Sequence, residues 1–183
     1  MQKWSQWLLG LLGWRYTGTE TLRKIDQFVV AIGPHTSNWD FPLGLLIRWA
    51  SGLDKMRFIG KESLFRPPYA WFFKALGGFP VVRSASKNQV EMYIELFKSH
   101  RVFAIVISPE GTRKKTDQLK TGYYYIAKGA GVPIVPASIN YKTRYVHFHK
   151  PFYATEDPAN DMAIVEHYIS SGEGKYPEKG YKK

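Results

Sequence analysis

The stretch Gln27-Phe-Val-Val-Ala-Ile32, running on through Gly33-Pro34-His35-Thr36-Ser37-Asn38-Trp39-Asp40, decides the fold. Its first six residues form a short apolar run rich in β-branched side chains, as in a strand covered on both faces. Gly33-Pro34 breaks that run into a turn. From 39 to 51 the apolar spacing becomes helical, with Pro42 in the first turn, where its missing N–H is tolerated. Strand, loop and helix in that order open an α/β domain. His35 falls on the loop at the mouth of the strand, where such folds gather their ligands.

The same alternation extends outward. Residues 102–107 read as a second buried strand and 133–139 as a third, although Pro136 suits an edge or a bulge. Shorter candidates lie at 55–59 and 80–82, and another at 145–149. Helical spacing covers 87–99, with Val90, Tyr93, Ile94 and Phe97 on one stripe, and also 119–130 and 161–170. No repeat of 20 to 50 residues is visible. The expected architecture is a single α/β domain over 17–171, its mixed, largely parallel central sheet flanked by helices. A short amphipathic helix over 1–16 precedes it, and a flexible Gly- and Lys-rich basic tail over 172–183 follows.

Composition narrows the function classes. With 183 residues, 44% hydrophobic and 16% aromatic, the chain supports one cored domain and not a disordered segment. Lys and Arg exceed Asp and Glu by 26 to 15, and the resulting +11 favours anionic partners: phospholipid headgroups, phosphorylated small molecules or nucleic acid. The absence of cysteine excludes disulfides, thiolate metal sites and a Cys nucleophile. At the N-terminus the apolar run from Trp7 to Trp14 is shorter than the ~20 residues of a span. Trp4, Trp7 and Trp14 among leucines, with Lys3 and Arg15 at the ends, suit a helix lying in the headgroup region of a membrane. Packing of that helix on the domain is the alternative, and the two are compatible.

Four blocks carry chemistry. On one straight helix His35 and Asp40 would point ~140° apart. They can pair only if His35 lies outside the helix and folds back over Asp40. The carboxylate would then accept from one imidazole nitrogen and leave the other as a general base. The alternative is a capping histidine beside a solvated first-turn acid. Ser108-Pro-Glu-Gly-Thr-Arg113 follows the second strand: Gly111 and Thr112 offer N–H groups, Arg113 a planar donor with Lys114 and Lys115 nearby, and Glu110 a carboxylate able to orient a base. Arg83 closes Gly77-Gly-Phe-Pro-Val-Val-Arg83, and Lys61-Glu62 follows the strand at 55–59. Both cations therefore leave strand ends.

Other features carry less. His147 and His149 share a strand face without a third ligand near in sequence, so no metal site is expected. Ser37 lacks a Gly-x-Ser-x-Gly elbow. Gly129-Ala-Gly131 ends a helix and so is no dinucleotide fingerprint. Tyr123, Tyr124 and Tyr125 beside lysines would suit a basic nucleic-acid-binding module, which leaves the ordered blocks unexplained.

Taken in order, the blocks resemble the glycerolipid acyltransferases, best known as 1-acylglycerol-3-phosphate acyltransferases. The family's His-x4-Asp block is matched by His35, Ser37 and Asp40, and its Gly-x5-Arg block by Gly77 and Arg83. Its Glu-Gly-Thr-Arg block is matched by Glu110, Gly111, Thr112 and Arg113, its Val-Pro-x-x-Pro block by Val132, Pro133 and Pro136, and its lysine by Lys61. Agreement runs over about residues 27–150. Pro34, Ser108 and Pro80 depart from the usual Asn, Phe and apolar residue, and the chain is shorter than typical members.

The resemblance implies that His35 and Asp40 form a catalytic dyad and that Arg83, Glu110 and Arg113 bind the acceptor phosphate. The N–H groups of Gly111 and Thr112 would complete that phosphate site, and Lys61 or main-chain N–H groups would support the oxyanion. The resemblance also implies a fatty acyl group passing from an acyl thioester, acyl-CoA or acyl carrier protein, to a hydroxyl of a lysophospholipid or glycerol phosphate. An amino-acyl lipid acceptor stays open. No cofactor beyond the co-substrate, no metal and no nucleic-acid partner are expected. The expected setting is the anionic, cytoplasmic face of a membrane, with peripheral attachment and no span.

Overall fold

A computed structural model describes residues 1–81 and 89–181, apart from the side chains of Lys61, Leu64 and Val81. Its elements in chain order are α1 (Gln2–Leu11), β1 (Arg15–Thr17), α2 (Thr19–Arg23), β2 (Gln27–Gly33), α3 (Asp40–Ser51), β3 (Met56–Lys61), α4 (Ala70–Ala75) and β4 (Gly78–Val81). There follow α5 (Gln89–Ser99), β5 (Phe103–Ile107), α6 (Gly122–Ala130), β6 (Ile134–Asn140), β7 (Tyr145–Phe148) and α7 (Pro158–Ser170). The seven strands form one sheet in the order β1-β7-β6-β2-β5-β3-β4. Every pairing is parallel except the β6–β7 hairpin.

The run that decides the fold lies at the centre. Side chains alternate across a strand, so Phe28 and Val30 enter one core while Val29 and Ala31 enter the other. The first core takes Leu9 of α1, Leu22 of α2, and Leu43 and Ile47 of α3. The second takes Tyr93 and Phe97 of α5, Tyr123, Tyr124 and Ile126 of α6, and Val165 and Ile169 of α7. A sheet covered by helices on both faces needs strands apolar on both sides, hence the unbroken run from Phe28 to Ala31. Each large apolar side chain buried there contributes about 1.5–3 kcal/mol.

Several boundaries differ from expectation. Pro136 sits in an interior strand: its carbonyl accepts from His149 N–H at 2.8 Å, and β7 pairing begins one residue later at Ala137. The N–H that proline lacks would face the spot just past the end of β7, so little of the ladder is lost. α1 stops at Leu11, and 15–17 join the sheet edge beside β7. α7 starts at Pro158, three residues early, because Asp157 accepts from Asn160 N–H as N-cap. Residues 172–181 do not fray as expected: Glu173 N–H donates to Ile139 C=O at 3.0 Å, and Tyr181 bridges Thr116. Among the described residues no helix is long and apolar enough to cross a membrane.

Candidate active site

Because β2, β3, β5 and β6 run parallel, their carboxyl ends open along one edge of the sheet. β2 leads there into the His35 loop, β5 into Ser108–Arg113, and β6 into Tyr141. Sheet order thereby places three segments far apart in sequence around one point, the usual place for a ligand in an open α/β sheet.

His35 lies just outside α3 and turns back over it. Its Nδ1 is 2.8 Å from Asp40 Oδ2. The same oxygen accepts from Thr36 and Ser37 N–H, each at 3.0 Å, and Oδ1 accepts from the Tyr141 hydroxyl at 2.6 Å. Burial alone would raise the Asp40 carboxyl. The hydrogen bonds from His35, Tyr141 and Ser37 outweigh it and hold the group below the usual carboxylate range. Tyr141 is shifted the other way, upward, by burial and then by the Asp40 charge, so it stays a donor. Ser37 is buried, and its hydroxyl accepts from Trp39 N–H at 3.1 Å at the entry to α3.

Arg113 Nε donates to the other imidazole nitrogen, Nε2, at 3.3 Å. With Asp40 accepting at Nδ1 and Arg113 donating at Nε2, the partners assign a neutral ring with its proton on Nδ1. Nε2 is then the basic nitrogen, and the His35 side chain keeps 27% of its exposure for a substrate to reach.

Glu110 occupies a different place from the one the resemblance implied. It is 1% exposed. One oxygen accepts from the His35 main-chain N–H and from the Ser108 hydroxyl, the other from Tyr181 N–H at 2.7 Å. A carboxylate so occupied, and of the same sign as a phosphate, cannot bind one, and Glu110 is removed from the phosphate set. Gly111, at φ +63°, turns the loop, and the Thr112 hydroxyl accepts from Lys114 N–H at 3.1 Å. The guanidinium of Arg113 is what this block presents to the site. Lys61 ends β3 at the same edge. Arg83 lies outside the described residues.

A cavity of about 440 Å³ opens beside the dyad. His35, Asp40, Ser108 and Arg113 meet it, and Phe41, Leu45, Phe58 and Phe73 give it an apolar wall between α3, β3 and α4. Arg48 also lines it, a residue missing from the sequence reading. Its guanidinium donates to Leu76 C=O at 3.2 Å and Asp54 C=O at 2.8 Å. Tyr141 was missed too, since its only sequence signal was a tyrosine following an inner strand.

His147 and His149 each find a hydroxyl: Thr17 Oγ1 lies 2.7 Å from His147 Nδ1, and Ser138 Oγ 3.1 Å from His149 Nε2. Among the described residues no group of three or more His, Cys, Asp or Glu is arranged for a metal ion.

The chloroplastic 1-acyl-sn-glycerol-3-phosphate acyltransferase BAT2 of Brassica napus is 28% identical over 161 residues, covering 76% of this chain and 45% of its own length. The 1-acyl-sn-glycerol-3-phosphate acyltransferase epsilon of Mus musculus is 26% identical over 174 residues, covering 88% and 48%. The chain thus spans about half the length of these relatives. In fold it is similar to the crystal structure of the 1-acyl-sn-glycerophosphate acyltransferase PlsC from Thermotoga maritima, with a TM-score of 0.66 at 24% identity over 93% of this chain and 76% of that one. The family model described as Acyltransferase matches residues 13–140, from the turn before β1 to the last residue of β6. That match takes in both loops that meet at His35, and the chain belongs to the Acyltransferase family.

Proposed function

We propose that the chain moves a fatty acyl group from an acyl thioester to a hydroxyl of a lysophosphatidic-acid-type acceptor. One observation carries this reading: an Asp-held imidazole lines an apolar cavity with its second nitrogen, Nε2, held by a guanidinium. The cavity lies in the size range of small-ligand sites, about 300–1,000 Å³. It suits an acyl chain, and Arg113 suits a phosphate.

The acceptor hydroxyl takes the place of Arg113 at Nε2, and gives up its proton there as its oxygen attacks the thioester carbonyl. Asp40 stabilises the imidazolium that forms. The C–O bond forms first. Collapse of the tetrahedral oxyanion then breaks the C–S bond, and the thiolate leaves with the proton from Nε2. Lys61, by its position at the end of β3, and nearby main-chain N–H groups are our candidates for the oxyanion. Both acyl-CoA and acyl carrier protein are anionic donors that a chain of +11 would attract.

The surface supports work at a membrane. α1 buries Ser5 and Leu9 against the domain and turns Trp4, Trp7 and Leu11 outward. On α4 Trp71 and Phe72 are exposed, while Phe73 lines the cavity. Exposed aromatic side chains on a chain of net charge +11 suit an anionic leaflet, as on the cytoplasmic face.

A free-thiol assay tests the reading. Acyl-CoA and acyl carrier protein are each paired with lysophosphatidic acid, glycerol 3-phosphate and a phosphate-free lyso-lipid. The cysteine-free chain adds no thiol of its own. We expect acceptor-dependent thiol release, highest with a phosphate-bearing acceptor. No release with any pair would refute the proposal.

A further inference from the structure

Residues 172–181 have the composition of a solvated tail, yet they run along the back of the candidate site. Tyr141 N–H donates to Glu173 C=O at 2.8 Å, beside the phenol that holds Asp40. Tyr176 N–H donates to Thr36 Oγ1 at 3.2 Å. Thr116 N–H donates to Gly180 C=O at 2.9 Å, and Tyr181 N–H donates to Glu110 Oε1 at 2.7 Å. The Tyr181 hydroxyl is fastened to Glu166 of α7 at 2.8 Å.

The packing is as close as the bonding. A Cβ at Gly174 would lie 2.5 Å from Thr36 Oγ1. At Gly180, where φ is +80°, it would lie 2.8 Å from Glu110 Oε1 and 2.9 Å from Thr36 Cγ2. Only glycine allows the segment to lie against these two residues. Thr36 directly follows His35, and Glu110 holds the His35 main-chain N–H with its other oxygen. The segment is therefore one residue or one carboxylate away from the imidazole at two separate points.

We infer that residues 173–181 form a strap that fixes His35, with Tyr181 N–H latched on Glu110 and Gly174 seated on Thr36. Tyr181, Gly174 and Glu110 are positioning residues: they touch no substrate and act through the His35 loop. A displacement near 1 Å at a reacting group costs about 10²-fold in rate, so a loosened strap reduces turnover in a chain that is still folded. The rate effect rests on the proposed acyl transfer, whereas the structural effect does not.

The test has an arm for each. Tyr181→Pro removes the donor to Glu110, Gly174→Ala pushes on Thr36, and Glu178→Ala alters an exposed side chain of the same segment as a control. In the thiol assay the first two should lower kcat about 10–100-fold with KM for the acyl donor nearly unchanged, and the control should match the parent. Tyr181→Phe keeps the N–H and loses only the Glu166 bond, so it should lose less than Tyr181→Pro.

By imidazole NMR on the free protein, the Nδ1–H signal of His35 should weaken and broaden in both strap variants. In the unmodified chain, hydrogen exchange should protect the Tyr181 amide as strongly as the His35 amide. Folded strap variants with parental His35 signals and kcat would overturn the inference, as would a Tyr181 amide exchanging at an unprotected rate. If the parent itself releases no thiol, the acyl-transfer reading fails, and NMR and exchange still decide the strap.

Discussion

The Tyr141 hydroxyl donates to Asp40 Oδ1 at 2.6 Å across 101 positions of sequence, and so braces from behind the carboxylate whose other oxygen faces His35. It is one of the donors that keep Asp40 ionised against its burial. Tyr141→Phe should remove a charge-assisted bond worth about 1.5–3 kcal/mol and let the Asp40 pKa rise. A depressed folded pKa contributes stability that is present above the unfolded value, near 3.8 for aspartate, and is lost as pH falls towards the folded one. In the variant the folded value moves up towards 3.8, so the stability lost on acidification should be smaller and complete at a higher pH, and the acid limb of kcat/KM should set in at higher pH. Superimposable pH profiles for parent and variant would remove Tyr141 from the mechanism.

Removal of the base itself gives the largest effect. His35→Ala should lower kcat on the order of 10²–10⁴-fold, the range for general-base assistance. Asp40→Asn should come close to it: an amide can donate to Nδ1 and drive the ring proton onto Nε2, where the lone pair is needed. It also accepts poorly from the four donors now crowding Asp40. Single-turnover thiol release measures both variants, and near-parental rates in either would exclude the dyad.

Arg113 makes a different prediction, because a cation that holds a phosphate acts on selectivity. Arg113→Ala should erase about 10–100-fold of the preference in kcat/KM for a phosphate-bearing over a phosphate-free acceptor, as expected for one charge-assisted contact. Arg113→Lys should recover part of it, since the point charge remains while the planar fork is lost. Equal losses with both acceptors would point to a role in holding His35 alone.

What the sequence showed of this site was whatever is local. β2, the turn after it and the helical spacing from 39 fix where His35 must fold, and the pairing with Asp40 follows from five residues of chain. Tyr141 was hidden because its position depends on β6 lying next to β2, a matter of sheet order that periodicity does not reveal. For Glu110 the residue pattern, a carboxylate able to orient a base, was the better guide than the phosphate role implied by the resemblance, because its carboxylate is sealed under the His35 loop and holds the main-chain N–H there. Residues 172–181 misled by composition: their glycines serve close approach, not freedom. The start of α7 was available in Asp157-Pro158, a cap followed by an N1 proline.

Gly44 tests the use of the cavity. It lines the cavity from within α3, and a Cβ there would meet nothing within 4 Å. Gly44→Ala should therefore stabilise the fold by about 0.5–1 kcal/mol through lower backbone entropy in the unfolded chain, read as a higher urea midpoint. Gly44→Phe should fill the space and lower turnover with long acyl donors more than with short ones. A uniform loss across chain lengths would argue against an acyl chain lying beside α3.

A second pH effect belongs to His149. Burial first, then the like charges of His147 and His167, bring its pKa from an ordinary 6.5 down to about 4. Its ring stacks on Tyr168 at 3.7 Å between centroids, meets the edge of His147 at 4.3 Å, and has the Ser138 hydroxyl as a polar partner. Between pH 6.5 and 4 the unfolded chain takes up a proton that the folded ring refuses, so stability must fall as pH drops through that window and level off below it. His149→Gln should flatten the slope there while leaving untouched the further acid loss that comes from Asp40 below its ordinary value. Melting temperatures at half-unit steps from pH 7 to 3 separate the two. An unchanged slope between 6.5 and 4 in the variant would assign that proton to another group.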